Sequence, residues 1–405
     1  MRKRIFCAML AAVMGFSMLT TVESPTKVQA AGIVMEYPDI NSNAASTVKT
    51  IKADVLKTEN DLELATKKAY ALVVTNDEDK SLTVPIKVTT DGKLNYSIVN
   101  HNENSTGTVT YTLSKDEKGK KVVASGKEDL SSDKGYDKLA KVSKGTYYLT
   151  IKMKGNIVKD GLFYVQAHVY PIGDRVLTNN VLAISASNGK KATYYKVTVS
   201  KPSILAFQFS GYELRTGKVT LCDRNKKAIS ATSVIGKGRE TGLQTYVVGK
   251  GTYYYKFTTT NSTYQVLSNT KAYTDKAGKS ATKAKALKIN TETEGFVSLG
   301  DKKGTVDYYK ATATKEGQVK GLYVAFGGEG TVQVTIKAPG IKAKTMKVPA
   351  GKCFYINTIY QEKIENGRTY YRNIKFPKGE YTIKVKKLTG KTNGVYYIGT
   401  KQYKE

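Results

Sequence analysis

The chain has no tryptophan, and its 405 residues include two histidines, three cysteines and eight prolines. Acids are also scarce: 34 Asp and Glu face 65 Lys and Arg, for a formal charge of +31. Each shortage removes a class of chemistry. A Ser-His-Asp or Cys-His arrangement needs an imidazole beside a nucleophile. His101 lies in the polar stretch Asn100 to Asn104 and His168 in the strand-like run Val165 to Tyr170. Neither sits in a nucleophile motif, so they read as a surface histidine and a strand histidine. Zinc wants clustered His and Cys ligands, and that spacing is absent. The scattered acids offer no carboxylate pair for glycoside hydrolysis. The expectation is a protein with no catalytic site and no cofactor. An exported hydrolase depending on His168 is the lesser alternative.

Long apolar runs are missing as well, with one exception. Arg2, Lys3 and Arg4 precede an apolar run from Ile5 to Leu19, and Val28-Gln29-Ala30 follows. A charged start, an apolar middle and a small-residue cleavage site make residues 1–30 a secretory signal peptide. The run is shorter than the ~20 apolar residues of a spanning helix, no later segment is apolar enough to cross a bilayer, and the end of the chain carries no apolar tail. Cys7 follows the basic start too closely to be a lipid-attachment cysteine. Cleavage after Ala30 leaves 375 residues; with it go four basic residues and one acid, and the charge becomes +28. That length suits two to four domains. Cys222 and Cys353 then remain, far too few for a disulfide framework. They fall in different repeats, so a bond would have to staple two domains, and two idle thiols are the simpler reading.

What is present is lysine, tyrosine, threonine, glycine and a period of two. Lys144-Gly145-Thr146-Tyr147-Tyr148-Leu149 recurs as Lys250-Gly251-Thr252-Tyr253-Tyr254-Tyr255 and as Lys378-Gly379-Glu380-Tyr381-Thr382-Ile383. Counting from the glycine, Tyr147/Leu149/Ile151, Tyr253/Tyr255/Phe257 and Tyr381/Ile383/Val385 alternate with polar residues or outward tyrosines. This is the pattern of a strand buried on one face, used three times. Ahead of it, Thr193-Tyr194-Tyr195-Lys196 is echoed by Asp307-Tyr308-Tyr309-Lys310, and the strand at Gly107 by those at Gly217 and Gly330. Asp91-Gly92, between alternating runs, predicts a hairpin, and Lys201-Pro202 a return turn. Repeat three is longer than repeat two, and its extra residues around Phe354 to Arg372 are expected to form a loop. Short strands and the absence of a convincing helical period predict an all-β chain of tandem antiparallel β-sandwiches of jelly-roll type. The expected plan is a linker or edge-strand approach at 31–56 and sandwiches at 57–172, 173–274 and 275–405. With no tryptophan, tyrosines and aliphatics must fill the cores, and many tyrosine hydroxyls should reach the rim for hydrogen bonds.

The order of these motifs, from Ser280-Ala281-Thr282-Lys283 through Asp307-Tyr308-Tyr309-Lys310 to the Lys-Gly-x-Tyr strand, resembles the bacterial pre-peptidase C-terminal domain. The match is best over about 277–388 and 180–266, and weaker in the first repeat. The resemblance implies a small jelly-roll-like sandwich of secreted proteins with an accessory or binding role. It does not imply peptidase activity, because no catalytic domain is left over. Some relatives in that family bind calcium near a domain start. Here Asn76-Asp77-Glu78-Asp79 offers carboxylates for calcium but lacks the pattern of a dedicated loop, and a solvated turn is the default.

Outward tyrosines remain as binding candidates: Tyr148, Tyr194, Tyr254 and Tyr308. Sugar-binding sandwiches use exposed aromatic platforms, usually with tryptophan among them, and ordinary cross-strand pairing of tyrosine with threonine and lysine is the competing account. The lysines are spread evenly, which favours a solvating coat that also protects sheet edges. A secreted lysine-rich surface also suits an anionic cell-wall polymer or polysaccharide. Nucleic acid is not an expected partner, since no recognition module is present. The functional expectation is a non-catalytic binding or accessory module, secreted and at the bacterial cell surface. A spacer or matrix protein without a specific ligand is the alternative.

Overall fold

The computed structural model describes residues 50–403, apart from 67–68, 77–79, 102–104, 131–135, 159, 212–215, 237–240 and 366–367. The expected signal peptide and the carboxylates Asp77, Glu78 and Asp79 lie outside the described residues. The period of two holds at all three Lys-Gly-x-Tyr strands. Tyr147, Leu149 and Ile151, then Tyr255 and Phe257, then Tyr381, Ile383 and Val385 are all at most 3% exposed. The first tyrosine of each motif also ties down its own turn. The Ser143 amide donates to the Tyr147 hydroxyl at 2.8 Å, the Tyr253 hydroxyl donates to the Gly249 carbonyl at 3.0 Å, and the Tyr381 hydroxyl donates to the Pro377 carbonyl. In each case the reach is four residues upstream: the Tyr147 and Tyr381 rings are buried and the Tyr253 ring half-buried, with each polar end satisfied at the rim.

The first unit contributes β1 (Ile51–Lys52), β2 (Asp54–Val55), α1 (Glu59–Thr66), β3 (Tyr70–Val74), β4 (Ser81–Val88), β5 (Gly92–His101), β6 (Thr106–Ser114), β7 (Val122–Asp129), β8 (Tyr136–Val142), β9 (Gly145–Asn156) and β10 (Gly161–Pro171). They pair as β1-β4-β9-β6-β7 and as β2-β10-β5-β8, with β3 also on β10. The second unit contributes β11 (Arg175–Val176), β12 (Ala183–Ala186), β13 (Thr193–Val199), β14 (Ser203–Gly211), β15 (Gly217–Cys222), β16 (Ser233–Ile235), β17 (Thr241–Val248), β18 (Gly251–Thr259) and β19 (Thr263–Ala272), paired as β11-β13-β18-β15-β16 and β12-β19-β14-β17. The third contributes β20 (Lys285–Ala286), β21 (Glu292–Val297), β22 (Val306–Ala313), β23 (Leu322–Glu329), β24 (Thr331–Lys337), β25 (Lys344–Pro349), β26 (Lys352–Ile356), β27 (Ile359–Glu365), β28 (Arg368–Ile374), β29 (Gly379–Lys387) and β30 (Asn393–Gly399). Its sheets are β20-β22-β29-β24-β25 and β21-β30-β23-β26, with β27 and β28 forming a separate two-stranded ribbon. The same sandwich is thus built three times, each around its own buried apolar cluster.

Several expectations need correction. The Lys-Gly-x-Tyr strands β9, β18 and β29 are central in the five-stranded sheets. Asp91-Gly92 is not a hairpin turn: β4 pairs with β1 and β9, whereas β5 pairs with β10 and β8. The chain crosses there from one sheet to the other, and at Lys201-Pro202 it does the same. Alternation marks a strand with one buried face; it does not say which sheet the strand joins, because both sheets bury their inner faces. Gly92 answers to close packing: a Cβ there would lie 2.4 Å from the Tyr170 carbonyl oxygen. The insertion expected as a loop contains the β27–β28 ribbon, in register from Ile359↔Ile374 to Glu365↔Arg368. Of the two readings of 31–56, linker or edge-strand approach, the described end of the stretch follows the second: β1 and β2 lie at sheet edges, with Ile51 and Leu56 fully buried. Among the described residues one helix, α1, lies within the all-β plan. Thr58 and Asp61 form its capping box, in which the Thr58 amide and hydroxyl donate to Asp61 Oδ2 at 2.8 and 3.0 Å and the Asp61 amide donates to Thr58 Oγ1 at 3.4 Å.

The units meet through two packed junctions. At the first, Leu56, Ala65 and Ile184 cluster with Leu62 and Tyr170, the Ile184 amide donates to the Lys57 carbonyl at 2.9 Å, and Arg175 Nη2 donates to the same carbonyl at 2.9 Å. At the second, Ile204 and Val247 pack on Phe296 and Val395, with Tyr273 stacked on Phe296 at 4.1 Å. There the Val247 amide donates to Asn393 Oδ1 at 3.2 Å, and the Leu299 amide donates to the Val247 carbonyl at 2.8 Å.

Candidate functional site

The four tyrosines expected to face outward are all part-exposed on the outer faces of the five-stranded sheets, but the fold does not gather them into one platform. Tyr148, on β9, lies opposite Pro85 and Ser114. Tyr308, on β22, has the Lys384 ammonium 5.5 Å from its ring centroid. Tyr194 and Tyr254 do come together, edge to face with centroids 6.5 Å apart. Lys226 Nζ lies 4.5 Å from the first ring centroid and 5.4 Å from the second, and 2.7 Å from Asp174 Oδ2. The hydrogen bond to Asp174 holds the Lys226 ammonium above its ordinary range.

His101 ends β5 rather than lying in a loop, and His168 is buried within β10. Among the described residues, no group of three or more His, Cys, Asp or Glu is placed to hold a metal ion. Cys222 and Cys353 are not disulfide-bonded, and burial pushes the Cys222 thiol upward. No helix among the described residues is long and apolar enough to cross a membrane.

A cleft of about 630 Å³ opens between the first and second sandwiches. Lys93 and Lys141 enter it from the first; Lys190 and Lys218, with Ser187, Asn261 and the threonines 216 and 258–260, line it from the second. Among these described lining residues there is no carboxylate, imidazole or thiol. Lys93 on β5 and Lys141 on edge strand β8 are direct cross-strand partners, an arrangement of like charges that destabilises a sheet. Burial first, and then the Lys141 charge, hold the Lys93 ammonium below its ordinary range. The opposite wall is tied together by its own hydrogen bonds. The Ser187 hydroxyl donates to the Thr259 carbonyl at 3.0 Å, the Gly189 amide to Ser187 Oγ at 3.2 Å, and the Asn261 amide to Thr259 Oγ1 at 3.2 Å. Such a site can take an anion: it supplies cationic donors already brought together, on a floor whose own polar groups are engaged.

These lysines were not singled out in the sequence, where each reads as one more solvated residue. Their convergence needs the β5–β8 register and the docking of two units. The sequence signal available was the placement of Lys93 and Lys141 on alternating strands, which does not tell partner from partner.

No family model matches the chain, and no curated protein does. Among solved structures it is similar to the pre-peptidase C-terminal domain of collagenase from Bacillus anthracis, at 12% identity and a TM-score of 0.21, covering 30% of this chain and 99% of that one. It is also similar to the PBSX exported protein XepA, at 10% identity and a TM-score of 0.19, over 50% of this chain and 86% of that one. A secreted protein from Parabacteroides distasonis shows 7% identity and a TM-score of 0.24, over 50% and 86%.

Proposed function

We propose that this chain is an exported, non-catalytic binding protein of the bacterial cell surface, and that it holds an anionic wall polymer or extracellular polysaccharide in the cleft between its first two sandwiches. The observation that carries this is the convergence of Lys93, Lys141, Lys190 and Lys218 with no carboxylate among the described lining residues. An opposed lysine pair costs stability in the empty protein, and an anion seated between the two ammonium groups offsets that cost. The Ser187 hydroxyl of the lining is engaged by the Thr259 carbonyl rather than by a lysine, which supports binding over catalysis. The spacer reading draws on the two buried junctions, which tie each sandwich to the next.

The test is co-sedimentation of the full mature chain with purified cell wall at low and at high salt. Charge-driven binding gives retention at ~0.05 M salt that is largely lost near 1 M, where the Debye length falls to about 3 Å. Lys93→Gln/Lys141→Gln/Lys218→Gln should be poorly retained at low salt. Retention equal to wild type in this variant refutes the cleft as the site, and no retention of wild type at either salt favours the spacer.

A further inference from the structure

We infer that the ligand track continues from the cleft across the outer face of the β11-β13-β18-β15-β16 sheet to the Tyr194–Tyr254 pair, and that the ligand is an acidic polysaccharide, sugar rings bearing anionic groups, rather than a sugar-free polyanion. This rests on the anion-binding reading of the cleft. Lys218 and Thr258 both line the cleft and are direct cross-strand partners on β15 and β18. Successive residues of a strand alternate faces, and Phe257 and Tyr255 point inward and are buried. Thr258, Lys256 and Tyr254 therefore share the outer face. From Thr258 to Tyr254 is four residues, roughly 13 Å at about 3.3 Å per residue. Exposed Lys256 lies midway, directly opposite Tyr194 on β13, and Tyr254 lies opposite Lys196. A path out of the cleft thus meets Lys256 first and then the edge-to-face Tyr194–Tyr254 pair, over which Asp174 holds the Lys226 ammonium.

Comparison among the three units sharpens the point. Register aligns Tyr194 and Tyr254 of the second unit with Thr83 and Tyr148 of the first and with Tyr308 and Thr382 of the third. The first and third units each keep one tyrosine of the pair and have threonine at the other position. Both tyrosines stand together in the unit whose edge forms the cleft. A fold requirement for the pair would apply to all three sandwiches equally. Sugar rings present apolar C–H faces that pack on aromatic rings by dispersion and burial, while carboxylate, sulfate or phosphate substituents pair with lysine. An acidic polysaccharide carries both features along one chain.

The test measures binding of the full mature chain to two probes, an oligogalacturonate and an inorganic polyphosphate of similar charge. Tyr194→Thr/Tyr254→Thr installs the residue that the sister units carry at these positions, which keeps strand preference and folding. It should weaken oligogalacturonate binding by about tenfold or more and leave polyphosphate binding unchanged. Lys93→Gln/Lys141→Gln should weaken both. An unchanged affinity of the tyrosine variant for oligogalacturonate overturns the track and leaves the anion-binding cleft standing, whereas unchanged affinities in the lysine variant overturn the cleft itself. Absence of oligogalacturonate binding by wild type also overturns the track.

Discussion

The two junctions connect the same kind of sandwich in opposite ways. The second is filled: Phe296, Val395, Ile204 and Val247 bury one another, Tyr273 stacks on Phe296, and Asn393 bridges the units through the Val247 amide. The first is packed along one side, by Leu56, Ala65 and Ile184, and open along the other, where the lysine cleft lies. In a tandem array of one fold, the fold supplies the repeating unit, and the residues at each seam decide whether that seam is structural or open to a ligand. The outer edges show the same division among lysines. Lys344 and Lys347 stand exposed on edge strand β25, the edge-protecting role anticipated for lysine in general, while Lys93 and Lys141 face each other at a concave site.

The contrast can be broken most severely at the filled seam. Phe296→Ala removes a ring that is 6% exposed and should cost about 3–5 kcal/mol. Differential scanning calorimetry should show the third unit melting apart from the second, and a single unchanged transition would contradict the packing account. Asn393→Ala leaves the Val247 amide unpaired in a buried setting and should cost about 1–3 kcal/mol, read as a lower urea midpoint. At the open seam the sign reverses. Lys93→Met removes a like-charge pair and should stabilise the ligand-free protein by about 0.2–1 kcal/mol while weakening anion binding. That gain should depend on pH in a stated direction. Because the folded Lys93 sits below its ordinary value, wild type carries the full cost at pH values below that depressed value. Wild type should recover stability as pH rises from it toward the unfolded lysine value near 10.4. The gap between variant and wild type should therefore narrow at alkaline pH, and a gap that widens would contradict the repulsion.

Much of this was legible along the chain. Alternation at Tyr147/Leu149/Ile151 and at Tyr381/Ile383/Val385 named core residues directly, since a period of two has a single structural meaning when one face is buried. The capping box Thr58-Glu59-Asn60-Asp61 was also a readable helix start, although the helical period behind it is only two turns long. Sheet membership was not legible at Asp91-Gly92, because a sharp turn between alternating strands serves a hairpin and a crossing between sheets equally. The insertion after Phe354 likewise held a ribbon that length alone assigned to a loop.

The candidate site divides in the same manner. Outward orientation of Tyr194 and Tyr254 followed from their neighbours, but their meeting edge to face depends on the diagonal placement of β13 against β18. What the amino-acid order determined by itself was local: which faces are apolar, where the motif repeats, and which charge dominates, all set by residues a few positions apart. What the tertiary structure alone decided was the meeting of Lys93 with Lys141, 48 positions later, and of both with Lys190 and Lys218. Strand pairing and unit docking bring together residues with no sequence relation to one another, and the field at a binding site depends on the distances so created.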